Sequence, residues 1–249
     1  MSPLVVAGIG LTLFLGSALQ GAVGFAFGLF AIPLLVWLGV SLGEAVALMS
    51  ISIFVQVLVG TWQLRREVRW REVWLGTAIR YATLPLGLAL LLWVDGLDRA
   101  QIKQVLGALV LAALLVQIFA KVEPRNHLPL GWTLAAFSGS GIMQGLAAMG
   151  GPPVVLWVMA HHWSSKESRA FMLALFLLVA PLQMALLYLT SPHNVGRALL
   201  TGLLFSPLVA LGAVAGVRLG NRIDKELLRR LAYGLLFVTA AVSILSPAF

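Results

Sequence analysis

The stretch Gln144-Gly-Leu-Ala-Ala-Met-Gly-Gly-Pro-Pro153 interrupts an apolar run that extends from residue 128 to residue 160. Glycine adopts backbone angles that other residues avoid, and proline has no backbone N–H to donate. Gly150-Gly151 followed by Pro152-Pro153 therefore predicts a helix that ends and restarts inside the membrane, with the restart at one of the prolines. The first turn of such a helix exposes N–H groups and the positive end of the helix dipole, which attract anions. The alternative is a kink that serves only close packing between helices.

The composition indicates an all-α polytopic membrane protein. Of the 249 residues, 60% are hydrophobic and 10% are charged, and the mean hydropathy is +0.98. Ten continuous apolar segments are separated by short loops, whereas the strands of a membrane barrel would alternate polar and apolar residues. The segments at residues 25–38 and 152–160 are too short for a full span, which takes about 20 residues. The ninth, at 198–217, is long enough for one continuous helix.

Composition also excludes several functional classes. The chain has no cysteine, which rules out disulfides, thiol catalysis and thiolate metal sites. Its net charge of +8 comes from basic residues in short loops, where they set the topology, so nucleic acid is not an expected partner. We expect no metal and no cofactor. The expected partners are the lipid bilayer and a small anionic substrate, and a homodimer is left open.

The sequence repeats itself at spacings of 120 to 127 residues. The matches occur in the same order along the chain: Gln20-Gly21 with Gln144-Gly145, Pro33 and Trp37 with Pro153 and Trp157, Ser41, Glu44, Ala47 and Met49 with Ser164, Glu167, Ala170 and Met172, Pro85 with Pro207, and Gly107 with Gly234. This order predicts two homologous halves, residues 1–124 and 125–249, of five segments each. In both halves the second segment is short and follows a Gly/Pro-rich break. The serine and glutamate pairs also have the spacing of a helix capping box. Chance similarity between Leu-, Ala- and Gly-rich helices is the alternative.

The distribution of basic residues predicts that the two halves are inverted with respect to the membrane. Short basic loops remain cytoplasmic. The loop at 64–71 is basic and therefore inside, whereas its counterpart at 190–196 is outside. The loop at 94–99 is outside, whereas its counterpart at 218–225 is basic and inside. Inverted repeats with broken helices are the architecture of secondary transporters, which hold their substrate near the midplane.

Two glycine-rich segments carry a family resemblance. The segment Gly16-Ser-Ala-Leu-Gln-Gly-Ala-Val-Gly-Phe-Ala-Phe-Gly-Leu-Phe-Ala-Ile-Pro-Leu-Leu35 resembles the first signature of the TauE/SafE family, the sulfite exporter family, and residues 144–153 resemble its second signature. The similarity extends over nearly the whole chain, with a departure at Ala26, where many members have glycine. It implies a transporter of the bacterial inner (cytoplasmic) membrane, not an enzyme, that exports or sometimes takes up small sulfur-containing anions. Sulfite, sulfoacetate and other organosulfonates are examples.

An anion inside a membrane requires hydrogen-bond donors and a positive potential. The breaks at residues 24–33 and 150–153 offer free N–H groups, and the neighbouring glutamines offer amide donors. Arg80 lies inside an apolar segment, where arginine is costly and its fork of donors fits an oxyanion. The predicted substrate-binding residues are Gln20, Gly24, Gly28, Pro33, Arg80, Gln144, Gly150, Gly151, Pro152 and Pro153. The alternatives are hydrogen bonding between helices for the glutamines and, for Arg80, extension of the side chain to the cytoplasmic surface.

A basic cluster lies near the predicted cytoplasmic surface and consists of His161, His162, Lys166 and Arg169. We interpret it as interfacial charge that sets topology, with the collection of anions as the alternative. No acidic residue lies deep in any predicted span, so we expect efflux that is driven by the membrane potential and proceeds by alternating access. The alternatives are an anion channel and an importer of a sulfur oxyanion.

Overall fold

The computed structural model describes residues 2–120, 122–125, 128–190, 192–223 and 225–245, without the side chains of residues 225, 226, 228 and 229. Within these ranges the chain forms eleven α-helices, one 3₁₀ turn at Arg65–Glu67 and no strand. The helices are α1 (Pro3–Val23), α2 (Phe27–Trp37), α3 (Leu42–Leu64), α4 (Trp70–Asp95), α5 (Arg99–Phe119), α6 (Leu130–Ala147), α7 (Gly151–Met159), α8 (Ser165–Thr190), α9 (Pro192–Leu204), α10 (Ser206–Arg222) and α11 (Lys225–Leu245). The predicted all-α fold is confirmed.

Long apolar helices account for most of the described chain. By length and composition, α1, α3, α4, α5 and α8 are each able to cross a membrane. Helices α9 and α10 together qualify as a sixth span that bends by 56°. The prediction of a membrane protein with many spans is therefore confirmed.

The short helices α2 and α7 are the return arms of two hairpins. At 1.5 Å per residue, their 11 and 9 residues extend about 16 and 14 Å, roughly half of a bilayer core. Helix α2 runs back along α1, because Phe27 packs against Gly16 and Leu38 packs against Gly8. Helix α7 runs back along α6, and there the Trp157 indole N–H donates to the hydroxyl of Thr133 at 3.1 Å. Each hairpin therefore returns toward the side of the molecule from which it started.

Close helix contacts at glycines connect the predicted halves. Helix α1 packs along α10, where Gly216 lies against the carbonyl of Ala18, and α4 packs along α6, where Gly87 lies against the carbonyl of Ile142. Helix α3 pairs with α8, and α5 pairs with α11. If each helix is replaced by its counterpart in the other half, the α1–α10 pair becomes the α4–α6 pair. The α3–α8 and α5–α11 pairs are unchanged by the same exchange. This pairing is what two related halves would produce, and their boundary and inversion stay predictions.

The predicted capping boxes begin α3 and α8. In α3, the Ser41 hydroxyl accepts from the Glu44 N–H and the Glu44 carboxylate accepts from the Ser41 N–H, both at 3.4 Å. In α8, the Ser164 N–H donates to Glu167 Oε2 at 2.9 Å, and the Glu167 N–H donates to Ser164 Oγ at 3.2 Å. Both glutamates therefore satisfy N–H groups at a helix start, as the sequence predicts.

The ninth apolar segment is not one continuous helix, although its length would allow one. Residues 198–217 are divided between α9 and α10, which meet at Phe205 with a bend of 56°. Pro207 lies in the first turn of α10, where its ring and its missing N–H prevent the preceding helix from continuing. Pro85, the matching residue of the repeat, lies inside the unbroken helix α4. The match between the two prolines therefore does not extend to their effect on the helix.

Candidate functional site

The first break consists of the three residues between α1 and α2. Gly24 and Ala26 have left-handed φ values of 89° and 88°, and Phe25 lies between them. The break itself is confirmed, but the prediction that it extends to Pro33 is wrong. Helix α2 begins at Phe27, and Pro33 is buried inside it. Two left-handed residues are sufficient to redirect the chain, so the proline, which only withholds one N–H from its own helix, is not needed for the turn.

The second break follows α6. Ala148 has a left-handed φ of 52°, and its N–H donates to the carbonyl of Gln144 at 2.8 Å. Helix α7 then begins at Gly151, with Pro152 in its first turn and Gly150 as its N-cap. The predicted restart at the proline pair is confirmed to within one residue, since proline is tolerated where the N–H has no partner inside the helix.

The two breaks contact each other. A Cβ on Gly28, at the start of α2, would overlap the carbonyl of Ala148. A Cβ on Gly151, at the start of α7, would lie 3.0 Å from the Cβ of Phe25. The N-terminal ends of α2 and α7 therefore meet in the interior, and both direct the positive ends of their dipoles to this region.

Arg80 extends from α4 to the start of α7. Its side chain has 0% exposure, which excludes the alternative in which it reaches the cytoplasmic surface. Nη2 donates to Gln144 Oε1 at 3.2 Å and lies against Gly150, where any side chain would collide with it. The guanidinium also lies 4.8 Å from the ring centre of Phe176, whereas Nε and Nη1 have no hydrogen-bond partner. A buried cation is thus placed at the positive end of a helix, an arrangement that is unfavourable without an anion.

Gln144 is held by a second glutamine. Its Nε2 donates to Gln183 Oε1 at 2.6 Å, and Gln183 Nε2 donates to the Gln144 carbonyl at 2.8 Å. This orientation leaves Gln144 Oε1 to accept from Arg80 and from the Gly150 N–H, at 3.2 Å each. The Ser140 hydroxyl donates to the Gly150 carbonyl and fixes the same turn from the other side. Gln144 does connect helices, as the packing alternative holds, but it also positions the guanidinium.

Gln20 lines a small central cavity together with Gln144, Gly28 and Gly151. Its side chain is buried, and its Nε2 has no hydrogen-bond partner. The volume open to the centre of a water molecule is about 10 Å³, which holds about one water. The structure therefore brings two predicted glutamines and two predicted glycines around one cavity that is closed to a larger anion.

The remaining predicted residues lie at the edges of this region. Gly24 packs against Met172 and Arg169, away from the central cavity. Pro152 is buried in the first turn of α7, and Pro153 lies on the side of α7 that faces Gly139 of α6. These prolines shape the restart of the helix and do not line the central cavity.

Several residues of the site were missed from the sequence. They are Phe25, Ser140, Phe176 and Gln183, which line the cavity or contact Arg80, Gly150 and Gln144. Of these four residues, only Gln183 could have been identified from the sequence, because it is an amide in the middle of the apolar run of α8. The other three residue types are common in apolar helices, so their contacts are decided by packing.

A second and larger cavity, here called the vestibule, has a volume of about 750 Å³ by the same measure. It is lined by residues that include Phe25, His161, His162, Lys166, Arg169 and Asn221. These residues come from the loops and helix ends of the face that the charge pattern predicts to be cytoplasmic. Phe25 lines both cavities, so the vestibule and the central cavity adjoin at this residue.

An aromatic group forms one wall of the vestibule. The ring centres of Trp157 and His161 are 4.1 Å apart, and those of His161 and Trp163 are 4.5 Å apart. His161 Nδ1 donates to the Trp157 carbonyl at 2.9 Å. Burial lowers the pKa of His161 below its usual value, although this hydrogen bond opposes the shift. The imidazole is therefore neutral at neutral pH and acts as part of a packed wall.

The fold and the site together define a multi-pass helical membrane protein in which two broken-helix hairpins meet beside a buried arginine. The family model of the sulfite exporters TauE/SafE matches residues 9–243. The chain belongs to this family of membrane transporters. No curated protein and no solved structure matches the chain significantly.

Proposed function

We propose that the chain is a secondary transporter that carries a small sulfur-containing anion across the bacterial cytoplasmic membrane. The substrate site lies at the two breaks and includes Arg80, Gln20 and Gln144. The family supplies the class of substrate, namely sulfite and related sulfur anions. The predicted inversion of the two halves is the basis for transport by alternating access, because it allows the site to open to one side of the membrane at a time.

One observation carries the proposal, namely the uncompensated burial of Arg80. Within the part of the chain that the structure describes, no Asp or Glu pairs with this side chain, and two of its nitrogens have no partner. Burying an unpaired charge costs several kcal/mol, so such a residue in a span is a candidate for function. A bound oxyanion would neutralise the guanidinium and accept from Nε, Nη1 and the free Nε2 of Gln20.

The size of the central cavity supports a carrier rather than a channel. Space for about one water molecule does not admit a sulfite or sulfonate ion. Entry therefore requires that the two breaks move apart, while the vestibule already provides access from one side. A cycle in which the breaks separate, close on the anion and open to the other side meets both conditions.

Efflux is the direction that we propose. With the interior negative, each expelled negative charge gains about 2.3 kcal/mol per 100 mV, so no coupling ion is required. The experiment that tests the function is the efflux of ³⁵S-labelled sulfite from proteoliposomes that contain the wild type, Arg80→Gln or Arg218→Gln. Arg218 is an exposed arginine at the end of α10 and serves as the matched control.

Arg80→Gln should reduce the flux by about 10- to 100-fold, because a hydrogen bond to a charged group contributes about 1.5–3 kcal/mol. Arg218→Gln should leave the flux close to the wild-type value. Absence of sulfite flux in the wild type would overturn the substrate class. An Arg80→Gln variant that transports normally would overturn the site.

A further inference from the structure

The lining of the vestibule carries positive charge, which a simple passage for solutes does not require. Among its lining residues are two basic side chains, Lys166 and Arg169, and two histidines, whereas none of the described lining residues is Asp or Glu. Glu123 lies in sequence between two lining residues without lining the cavity. Glu167, next to Lys166, is engaged by Arg69 at 2.6 Å. Among the described lining residues, therefore, no carboxylate balances the charges of Lys166 and Arg169.

Arg169 differs from an ordinary surface arginine. Only 5% of it is exposed, and it is wedged between Gly24 and Gly220, where added side chains would contact it. Its Nη2 donates to Asn221 Oδ1, and its Nε donates to the Ser165 carbonyl at 3.4 Å. Nη1 has no partner. The guanidinium is therefore held in one position with unused donor capacity.

Asn221 completes the arrangement. Because its Oδ1 accepts from Arg169, its amide NH₂ is oriented away from the guanidinium and remains a donor. Asn221 contacts Arg169, and Lys166 is a further lining residue, so the vestibule lining provides a planar guanidinium, an amide and an ammonium group. A small oxyanion accepts from all three kinds of donor, and a fixed guanidinium favours it over a cation or a neutral solute.

We propose that the vestibule contains a second anion site, built by Arg169 with Asn221 and Lys166, which takes a small sulfonate- or sulfate-like oxyanion. Phe25 lines both the vestibule and the central cavity, and Arg80 is not among the residues that line the vestibule. An anion that enters from the vestibule side is held first at Arg169 and passes to the central site when Phe25 and the adjacent break move. The repeat match of Arg169 is Val46, so the second site belongs to one half only.

The absence of cysteine from the chain permits a local test. Ser165 lines the vestibule four residues before Arg169 and is exposed, so Ser165→Cys introduces a single, nearly isosteric thiol. The full-length variant is treated with methanethiosulfonate reagents that carry either an ethylsulfonate or an ethyltrimethylammonium group. Relative to the two rates with a small free thiol, the site should favour the anionic reagent over the cationic one, and methanesulfonate should slow the anionic reaction.

Two variants each combine Ser165→Cys with one further substitution that removes the proposed site. Arg169→Gln deletes the charge, and Asn221→Asp neutralises it while leaving the packed arginine in place. Both should lower the anionic-to-cationic rate ratio by about 4- to 10-fold, the effect on two oppositely charged reagents of one charge about 6–10 Å away at the dielectric constant of water, about 80. Arg218→Gln is the matched charge control and should change the ratio by less than about 2-fold.

The proposal is overturned if Asn221→Asp and Arg169→Gln leave the ratio at the wild-type value, or if methanesulfonate gives no protection. Arg80→Gln distinguishes this site from the central one. It should reduce sulfite flux by about 10- to 100-fold and leave the reagent ratio unchanged. If Arg80→Gln lowered the anionic-to-cationic rate ratio as much as Arg169→Gln does, the reagents would be reporting on the central site. The separate vestibule site would then be rejected.

Discussion

Arg80 in α4 and Gln144 in α6 are joined by a hydrogen bond of 3.2 Å between Nη2 and Oε1, in the interior of the protein and beside the N-terminus of α7. Both residues are at least 98% buried, since Arg80 has 0% and Gln144 2% exposure. The contact connects the first predicted half to the second and directs a guanidinium to the meeting point of two helix dipoles.

Replacing Arg80 with methionine should abolish transport without destabilising the protein. Methionine fills a similar volume without a charge, and replacing buried charges by apolar residues is often neutral or stabilises by about 1–4 kcal/mol. The measurements are thermal unfolding in detergent and sulfite flux in proteoliposomes. If Arg80 were a structural residue, the unfolding temperature of Arg80→Met would fall instead, and the site would have to be placed elsewhere.

Gln183→Leu should weaken both stability and substrate affinity. The substitution leaves Gln144 Nε2 buried without its acceptor, which costs about 1–3 kcal/mol, and it frees the Gln144 amide to rotate away from Arg80. The expected result is a lower unfolding temperature together with a higher KM for efflux. Gln117→Leu, at a buried amide of α5 that does not line the central cavity, is the matched control and should leave KM unchanged. Equal KM values for the two variants would contradict a positioning role.

Gly28→Ala should disrupt the contact between the breaks. The added methyl group overlaps the carbonyl of Ala148, so the two helix starts must separate at a cost of about 1–3 kcal/mol. Transport and thermal stability should both fall. Gly131→Ala in α6 is the control because no atom lies within 4 Å of its Cβ position, and it should be neutral or stabilising by up to about 1 kcal/mol. A fully active Gly28→Ala variant would argue against close contact of the breaks.

Ala26→Gly should stabilise the first break. Ala26 has a φ of 88°, where a residue with a Cβ is strained by about 1–2 kcal/mol, and glycine removes that strain. Glycine also increases the entropy of the unfolded chain, which offsets about 0.4–1 kcal/mol of the gain. The net expectation is a rise of about 0–1.6 kcal/mol in the free energy of unfolding, measured by denaturant titration in detergent. A decrease would mean that the Cβ of Ala26 makes contacts that outweigh the strain.

Sulfite efflux should respond to the membrane potential. An inside-negative potential of 100 mV favours expulsion of each net negative charge by about 2.3 kcal/mol, which corresponds to roughly a 40-fold difference in concentration at equilibrium. Potentials of both signs are imposed on proteoliposomes with potassium gradients and valinomycin. Flux that is independent of the sign of the potential would indicate an electroneutral cycle and a coupling ion.

Much of the membrane architecture could be predicted from the sequence because the relevant signals are local. Run length and apolar composition locate the helices, Gly150 and Pro152 mark the second break, and the Ser41–Glu44 pair marks the start of α3. The same local reasoning fails at Pro33, where α2 continues through the proline, and at Pro207, where an apolar run is divided. Proline inside an apolar run leads to a break or to a continuing helix depending on the neighbours that support the chain.

The sequence alone determined that two glycine-rich breaks, two glutamines and one intramembrane arginine exist in this chain. Only the tertiary structure decided that they meet. Arg80 and Gln144 are 64 residues apart and Gln144 and Gln183 are 39 residues apart, so their contacts depend on how α4, α6 and α8 pack. Side-chain direction on an apolar helix carries little local signal when every face is apolar. The orientation of Arg80 toward the start of α7, rather than toward the surface, is therefore a property of the packed helices.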